Sequence, residues 1–352
     1  MDAELLIALE RYDEAEELLE KQVRDAEAND DPQSASIALE ALGQIAIRRG
    51  REQHALDLLR QSLELANNPE PAERTGLYFE LARLLASTGD AEAAVDLLAP
   101  LLDHLREEHP DDLATIARYA VTLSMAQADA GRYTEASQLL AGVLRDGGDE
   151  LDRDVAARVN YALSRLNNTT GHYELAADYA RRALRLNEET GDEWAQALCH
   201  LGIAHILLTI GDTEEAAEHL SASRALHGDR LGTVLEGYLK VDEARLALQR
   251  GDAELSVEVA RDSVALLSNA AIPGELGIAQ LALARGLEEL GDDPGAEQAY
   301  TAAIDLFRRR PGWHRERARA HRWYGKFLRR HGRDEAALRE FELAADLAPS
   351  NQ

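Results

Sequence analysis

Six cationic side chains recur at one register of this sequence. Arg83, Arg165, His205, Arg245, Arg285 and Lys326 each lie six residues before a glycine, and the other two members of the series are Gln44 and Met125. Arginine repeated in this way can hold carboxylates through its planar fork of donors. The chemistry on offer is recognition of acidic groups, with no bond made or broken. It runs against the overall balance, because 65 acidic and 38 basic residues leave a formal net charge of -27. A charge of that sign repels nucleic acid and anionic membrane at long range.

Other reactive residue types are sparse. Glu243 falls at a position that is Leu or Ile in six other repeats (Leu42, Leu81, Leu123, Leu163, Ile203 and Leu283). A carboxylate there needs a partner or a raised pKa. Lys240 and Arg245 are within sequence reach, and Arg285 is within reach from the next repeat. Cys199, His200 and His205 share one stretch, but spacings of one and five do not gather metal ligands on one helical face. No phosphate loop, Gly-x-Ser-x-Gly elbow or His-Glu-x-x-His motif occurs. The sequence therefore assigns no catalytic residue, no metal and no cofactor, and it reads as a non-enzyme. The single cysteine excludes an internal disulfide and a cysteine-based zinc site. No apolar run approaches the roughly 20 residues of a membrane span. The start, Met1-Asp2-Ala3-Glu4, lacks the basic region of a signal peptide, so a cytoplasmic protein is expected.

The elements that must carry these residues are set by a repeat. Gly50, Gly89, Gly131, Gly171, Gly211, Gly251, Gly291 and Gly332 are separated by steps of 39, 42, 40, 40, 40, 40 and 41 residues. Such a period signals stacked supersecondary units. Five residues after each glycine stands a small residue: Ala55, Ala94, Ala136, Ala176, Ala216, Ser256, Ala296 and Ala337. Seven before it stands another: Gly43, Ala82, Ser124, Ser164, Ala204, Ala244, Ala284 and Gly325. Small residues on both sides of a turn let two antiparallel helices approach closely. Nine after the glycine is mostly large and apolar, as in Leu59, Leu98, Leu140, Leu220, Tyr300 and Phe341, with Ala180 and Ala260 as exceptions. These offsets are helical, so each unit reads helix, turn, helix. A left-handed residue at the helix end favours glycine.

This pattern, from Leu42-Gly43 through Gly50, Ala55 and Leu59 to Tyr324-Gly325, Gly332, Ala337 and Phe341, resembles the tetratricopeptide repeat family. The units are about 40 residues long where the family unit is usually 34, which is similar to the kinesin-light-chain type and to sensor domains of bacterial transcription regulators. His109-Pro110-Asp111-Asp112 is similar to a linker of the former. The resemblance implies an all-α, right-handed superhelical solenoid. It is expected as one domain over 1–352, with a truncated repeat at 1–30 and eight repeats near 31–70, 71–110, 111–149, 150–190, 191–229, 230–270, 271–311 and 312–352. Glu10 replaces the glycine of the truncated unit. The resemblance also implies that the first helix of each pair lines a concave groove, with the cationic register facing it. Neighbouring groove positions add Arg158, Tyr161, Tyr238, Arg322 and Trp323. The competing reading is that these arginines pair with acids on the next repeat, such as Glu80, Asp129, Asp242 or Glu288.

The balance reverses near the C-terminus. Between Arg308 and Glu340 there are 12 Lys or Arg, Arg310 among them, against four acids. That suits an acidic partner or a second copy's acidic N-terminal half, and equally a solvated basic face. The last helix ends near Pro349 without a polar cap, so self-association through uncapped ends is expected, or a longer protein. Taken together, the expected function is a scaffold that captures a protein or peptide segment with acidic residues or a free carboxylate. The alternative is the sensor domain of a transcription or signalling regulator. Nucleic acid and membrane are not expected partners.

Overall fold

Each of the eight register glycines has a positive φ, from 69° at Gly50 to 100° at Gly89. At each of them the following residue donates its N–H to a carbonyl five residues back, as Asp252 does to Ala247 at 2.9 Å and Arg333 to Leu328 at 3.0 Å. This six-to-one bond closes the helix end and requires the left-handed residue before the donor. The residue after the glycine then has two uses. Where it is Asp it caps the next helix: Asp90, Asp212, Asp252 and Asp292 accept from the N–H three residues on. Where it is Arg it reaches back one repeat, as Arg51 does to Glu16, Arg132 to Glu92 and Arg333 to Glu297. Asp112 of the His-Pro-Asp-Asp stretch is a cap of the first kind, accepting from Thr115 at 3.0 Å.

The computed structural model describes residues 2–9, 11–67, 74–227, 233–268, 273–309 and 313–347. Glu10, Arg310 and Pro349 lie outside them. The described residues are helical throughout, apart from turns, and they divide into two compact units at 132/133. The first unit holds α1 (Ala3–Ala8), α2 (Tyr12–Ala28), α3 (Pro32–Arg48), α4 (Glu52–Leu65), α5 (Thr75–Thr88), α6 (Ala91–Glu108) and α7 (Leu113–Asp129). The second holds α8 (Tyr133–Gly147), α9 (Arg153–Thr170), α10 (Tyr173–Thr190), α11 (Glu193–Ile210), α12 (Thr213–His227), α13 (Thr233–Gln249), α14 (Ala253–Ser268), α15 (Pro273–Leu290), α16 (Asp293–Arg308), α17 (His314–Arg330) and α18 (Asp334–Asp346).

The small residues sit where the hairpins close. All eight that stand five residues after the glycine are buried, six of them with no exposed area. Opposite them, a Cβ on Gly43 would meet Leu59 at 2.5 Å, and one on Gly325 would meet Phe341 at 2.7 Å. The glycines at this seam therefore make room for the large residue of the facing helix. Ser62, Ser223 and Ser263 add a further tie between paired helices. Each buried hydroxyl donates to a carbonyl of the partner helix, at 2.9 Å or less (Ser36, Ala197 and Gly237).

In the second unit α9, α11, α13, α15 and α17 also pack on one another in succession, and so form one wall. That wall bends far. Arg315 near the start of α17 donates to the Asn168 carbonyl at the end of α9, at 3.2 Å. A row of five helices whose last member touches the first is concave on the side where they meet.

Candidate functional site

One rule sorts the cations that stand six residues before the glycines. Where an acid stands three residues earlier, the arginine is held along its own helix. Glu80 binds Arg83 at 2.9 Å in the first unit, and Asp242 binds Arg245 at 2.6 Å in the second. Where that earlier residue is Ala162 or Ala282, Arg165 and Arg285 make no ion pair among the described residues. Where it is Trp323, the ring lies 4.4 Å from the Lys326 ammonium and 3.9 Å from the Arg285 guanidinium, which approaches from α15. Two cations over one indole draw on the negative face of the ring. The ladder to acids of the next repeat holds at His205, which meets Asp242 of α13, while Glu80 and Asp242 also pair with the arginine of their own helix, where a three-residue step places the two side chains side by side. Glu288 accepts from Tyr300 at 2.6 Å and from Arg330 at 2.7 Å instead.

Asp242 is the centre of the wall. Its side chain is 4% exposed. His205 Nδ1 of α11 lies 3.1 and 3.2 Å from its two oxygens, and Arg245 Nη2 extends the network to Thr209 at 3.1 Å. Burial pushes this carboxyl up, but the charges and hydrogen bonds of His205 and Arg245 outweigh it and hold the group below the ordinary range. Arg285 is shifted down by burial, with Arg245 adding repulsion.

The remaining candidates, Arg83 apart, are spread along the same wall. Arg165, Arg322 and Lys326 are exposed. Tyr161 is partly buried against α11, where a Cβ on Gly202 would stand 3.2 Å from its ring, and burial raises its phenol. Tyr238 packs on the same apolar cluster. Arg158 is tied to Asp154 at 2.8 Å on its own helix. Arg83 belongs to the first unit, close to a cavity of about 240 Å³ lined by Glu40, Gln44, Phe79, Glu80 and Arg118. Sequence reasoning missed Arg319, although it stands 13 before Gly332 as Arg158 and Tyr238 stand 13 before theirs.

Glu243 has a different partner from those expected. It takes a forked contact from Arg224 of α12, with Nη2 at 2.8 and 3.0 Å and Nε at 3.0 Å. Arg224 itself occupies a position that is Leu63, Leu102, Leu144 and Leu184 in earlier repeats. Two departures from Leu face each other, so an apolar contact is replaced by an ionic one.

Cys199, His200 and His205 diverge. Cys199 is buried, accepts from Asn187 at 3.4 Å, and burial pushes its thiol up to about 12. His200 Nδ1 faces His219 Nδ1 at 2.7 Å between α11 and α12. One must donate and the other accept, so the contact fails when both are protonated. Burial lowers both pKa values, with His219 adding repulsion at His200 and Glu215 opposing the shift at His219. Burial lowers His227 as well. A histidine depressed below about 6.5 contributes stability that is complete above that pH and is lost as pH falls through the folded value. Urea melts should therefore show a lower midpoint at pH 5.5 than at pH 7.5. The difference should shrink in His219→Asn, and an unchanged difference would mean the pair does not titrate as placed.

Family models described as tetratricopeptide repeat match residues 3–68, 121–189 and 278–352, more than half of the chain. The chain belongs to the tetratricopeptide repeat family. Its repeats carry the family's hairpin in a lengthened form. No curated protein matches the sequence. Among solved structures, the apo form of RapI superposes with a TM-score of 0.63 at 13% identity, over 78% of this chain and 98% of that one. The Rap conjugation gene regulator of the plasmid pLS20, in complex with the Phr* peptide, gives 0.61 at 14% identity, over 80% and 77%. The apo quorum sensor NprR from B. thuringiensis gives 0.59 at 20% identity, over 86% and 85%. At these identities the likeness is one of fold. No helix among the described residues is long and apolar enough to cross a membrane.

Proposed function

We propose that the inner wall of the second unit captures a protein or peptide segment bearing acidic side chains or a free carboxylate, without catalysis. The observation that carries this reading is the set of cations on that wall, Arg165, Arg322 and Lys326, that are exposed and have no acidic partner among the described residues. Trp323 beside Lys326 and Tyr161 beside Arg165 add apolar area to the same positions. Guanidinium and ammonium groups would set charge and register, and the rings would supply burial. Arg158, Tyr238, His205, Arg245 and Arg285 would shape the wall. One solved Rap structure of similar fold holds the Phr* peptide, and this supports a peptide as the captured class.

The likeness to NprR and Rap favours a second reading, in which capture is the input step of a transcription or signalling regulator. The scaffold reading is tested first by fluorescence anisotropy, with a labelled peptide of alternating leucine and glutamate ending in a free carboxylate. Binding should weaken steeply between 50 and 300 mM salt, values chosen to span the change in screening length from about 14 to about 6 Å. Binding that ignores salt, or its absence for peptides of either charge, would remove the reading.

A further inference from the structure

The cavity of the first unit, about 240 Å³, is lined from four helices. Glu40 comes from α3, Leu59 from α4, Leu77, Phe79 and Glu80 from α5, and Arg118 from α7. Leu59, Leu77 and Phe79 are buried and supply its apolar lining. Arg118 is exposed, and its guanidinium makes no ion pair or hydrogen bond among the described residues. It feels only the field of Asp112 before the start of its own helix and of the groups across the cavity. Its central carbon lies 5.2 Å from the centre of the Phe79 ring and 5.6 Å from that of Tyr119. A guanidinium over a ring uses its face there and keeps the donors of its plane. Tyr119 holds this arrangement: its ring centre is 4.5 Å from that of Phe79, and its hydroxyl donates to the Thr75 carbonyl at 3.0 Å. The two acids are half engaged. Glu40 meets Arg74, and Glu80 meets Arg83 at 2.9 Å, in each case through Oε2 alone. Oε1 of each carboxylate has no hydrogen bond among the described residues. One cavity thus presents a fork of donors without an acid, two acceptor oxygens without a donor, and apolar carbon between the helices.

We infer that this cavity takes a small zwitterion of the amino-acid class with an apolar side chain. The carboxylate accepts from the in-plane donors of Arg118. A bare anion in that place would also face the carboxylates of Glu40 and Glu80, whereas an ammonium on the same molecule donates to their Oε1 atoms. The side chain covers Leu59, Leu77 and Phe79. The volume is that of about eight waters, the scale of a single amino acid. The inference rests on the first unit and is independent of peptide capture by Arg165, Arg322 and Lys326 in the second.

The test is titration calorimetry of the full chain with L-leucine, L-methionine and L-phenylalanine, each beside its N-acetyl and its amide derivative. At least one of the three should bind, with one molecule per chain. Removing either charge from that amino acid should weaken it by about tenfold or more, the usual worth of a charged hydrogen bond. Arg118→Met should weaken the free amino acid to the same degree and leave its amide, which has no carboxylate to lose, where it was. Arg118→Gln serves if Arg118→Met does not fold. Glu80→Gln should narrow the gap between the free amino acid and its N-acetyl form. A merely structural role for either residue would shift parent and derivatives alike. The inference is overturned if none of the three binds, if the derivatives bind as tightly as the parent, or if binding survives both variants unchanged. Amino-acid binding by a chain that takes no peptide would uphold this site and sink the peptide reading alone, and the reverse outcome would sink this site alone.

Discussion

Asp242→Ala is expected to cost the second unit about 3–5 kcal/mol, the usual penalty for removing one partner of a buried ion pair. The carboxylate is the buried acid of the inner wall, and it answers Arg245 at 2.6 Å and His205 at 3.1 Å. Without it those two groups, and Arg319 within range, lose the counter-charge they share. Urea melts of wild type and variant measure the loss, and a change under about 1 kcal/mol would mean that the carboxylate is not the keystone of the wall. The pH dependence has a definite sign. Asp242 is held below the ordinary carboxylate range, so its contribution is complete above about 3.9 and is lost as pH falls through the lowered value.

Ala204→Leu is the second large effect. Ala204 has no exposed area and stands at the seam of α11 and α12, with Ala216, also fully buried, at the matching seam position of the facing helix. Three added carbons have no space there unless the helices part. Overpacking of this kind costs about 1–3 kcal/mol, and a seam common to every hairpin puts the change at the upper end or beyond. Ala225→Leu on the exposed side of α12 is the matched control and should stay within about 0.5 kcal/mol of wild type. Equal melting temperatures for the two variants would show that the small-residue register does not set the helix spacing.

Both changes act on features of different legibility. The seam could be read from the chain alone, since eight glycines with positive φ and the buried residues around them follow fixed offsets. Hairpin structure is local, and local structure leaves a period. The partition of the cationic register was only half legible. Arg165 and Arg245 hold the same offset, yet one is exposed and the other is 16% exposed beside an acid. The signal was three residues upstream, Ala162 in one repeat and Asp242 in the other. Reversing Arg165, Arg245 and Arg285 together, a natural experiment from the sequence, would place a new carboxylate against Asp242 and test folding instead of binding. The meeting of α17 with α9 was not legible at all. It is the sum of small rotations over four repeats, and no single offset encodes it. For the same reason Arg319 drew no notice, although its register is shared with Arg158 and Tyr238.

The central claim is that the exposed cations of the inner wall of the second unit select an acidic segment. A charge exchange tests it most directly. Arg165→Glu, Arg322→Glu and Lys326→Glu are combined in one chain, all at exposed positions that leave Asp242 and its partners in place. Anisotropy is then measured with the leucine–glutamate peptide and with its leucine–lysine counterpart. The account predicts that the variant keeps the wild-type melting temperature, releases the acidic peptide by about a hundredfold or more, and takes up the basic one, as like-charge and opposite-charge contacts trade places. A variant that folds and still prefers the acidic peptide would contradict it.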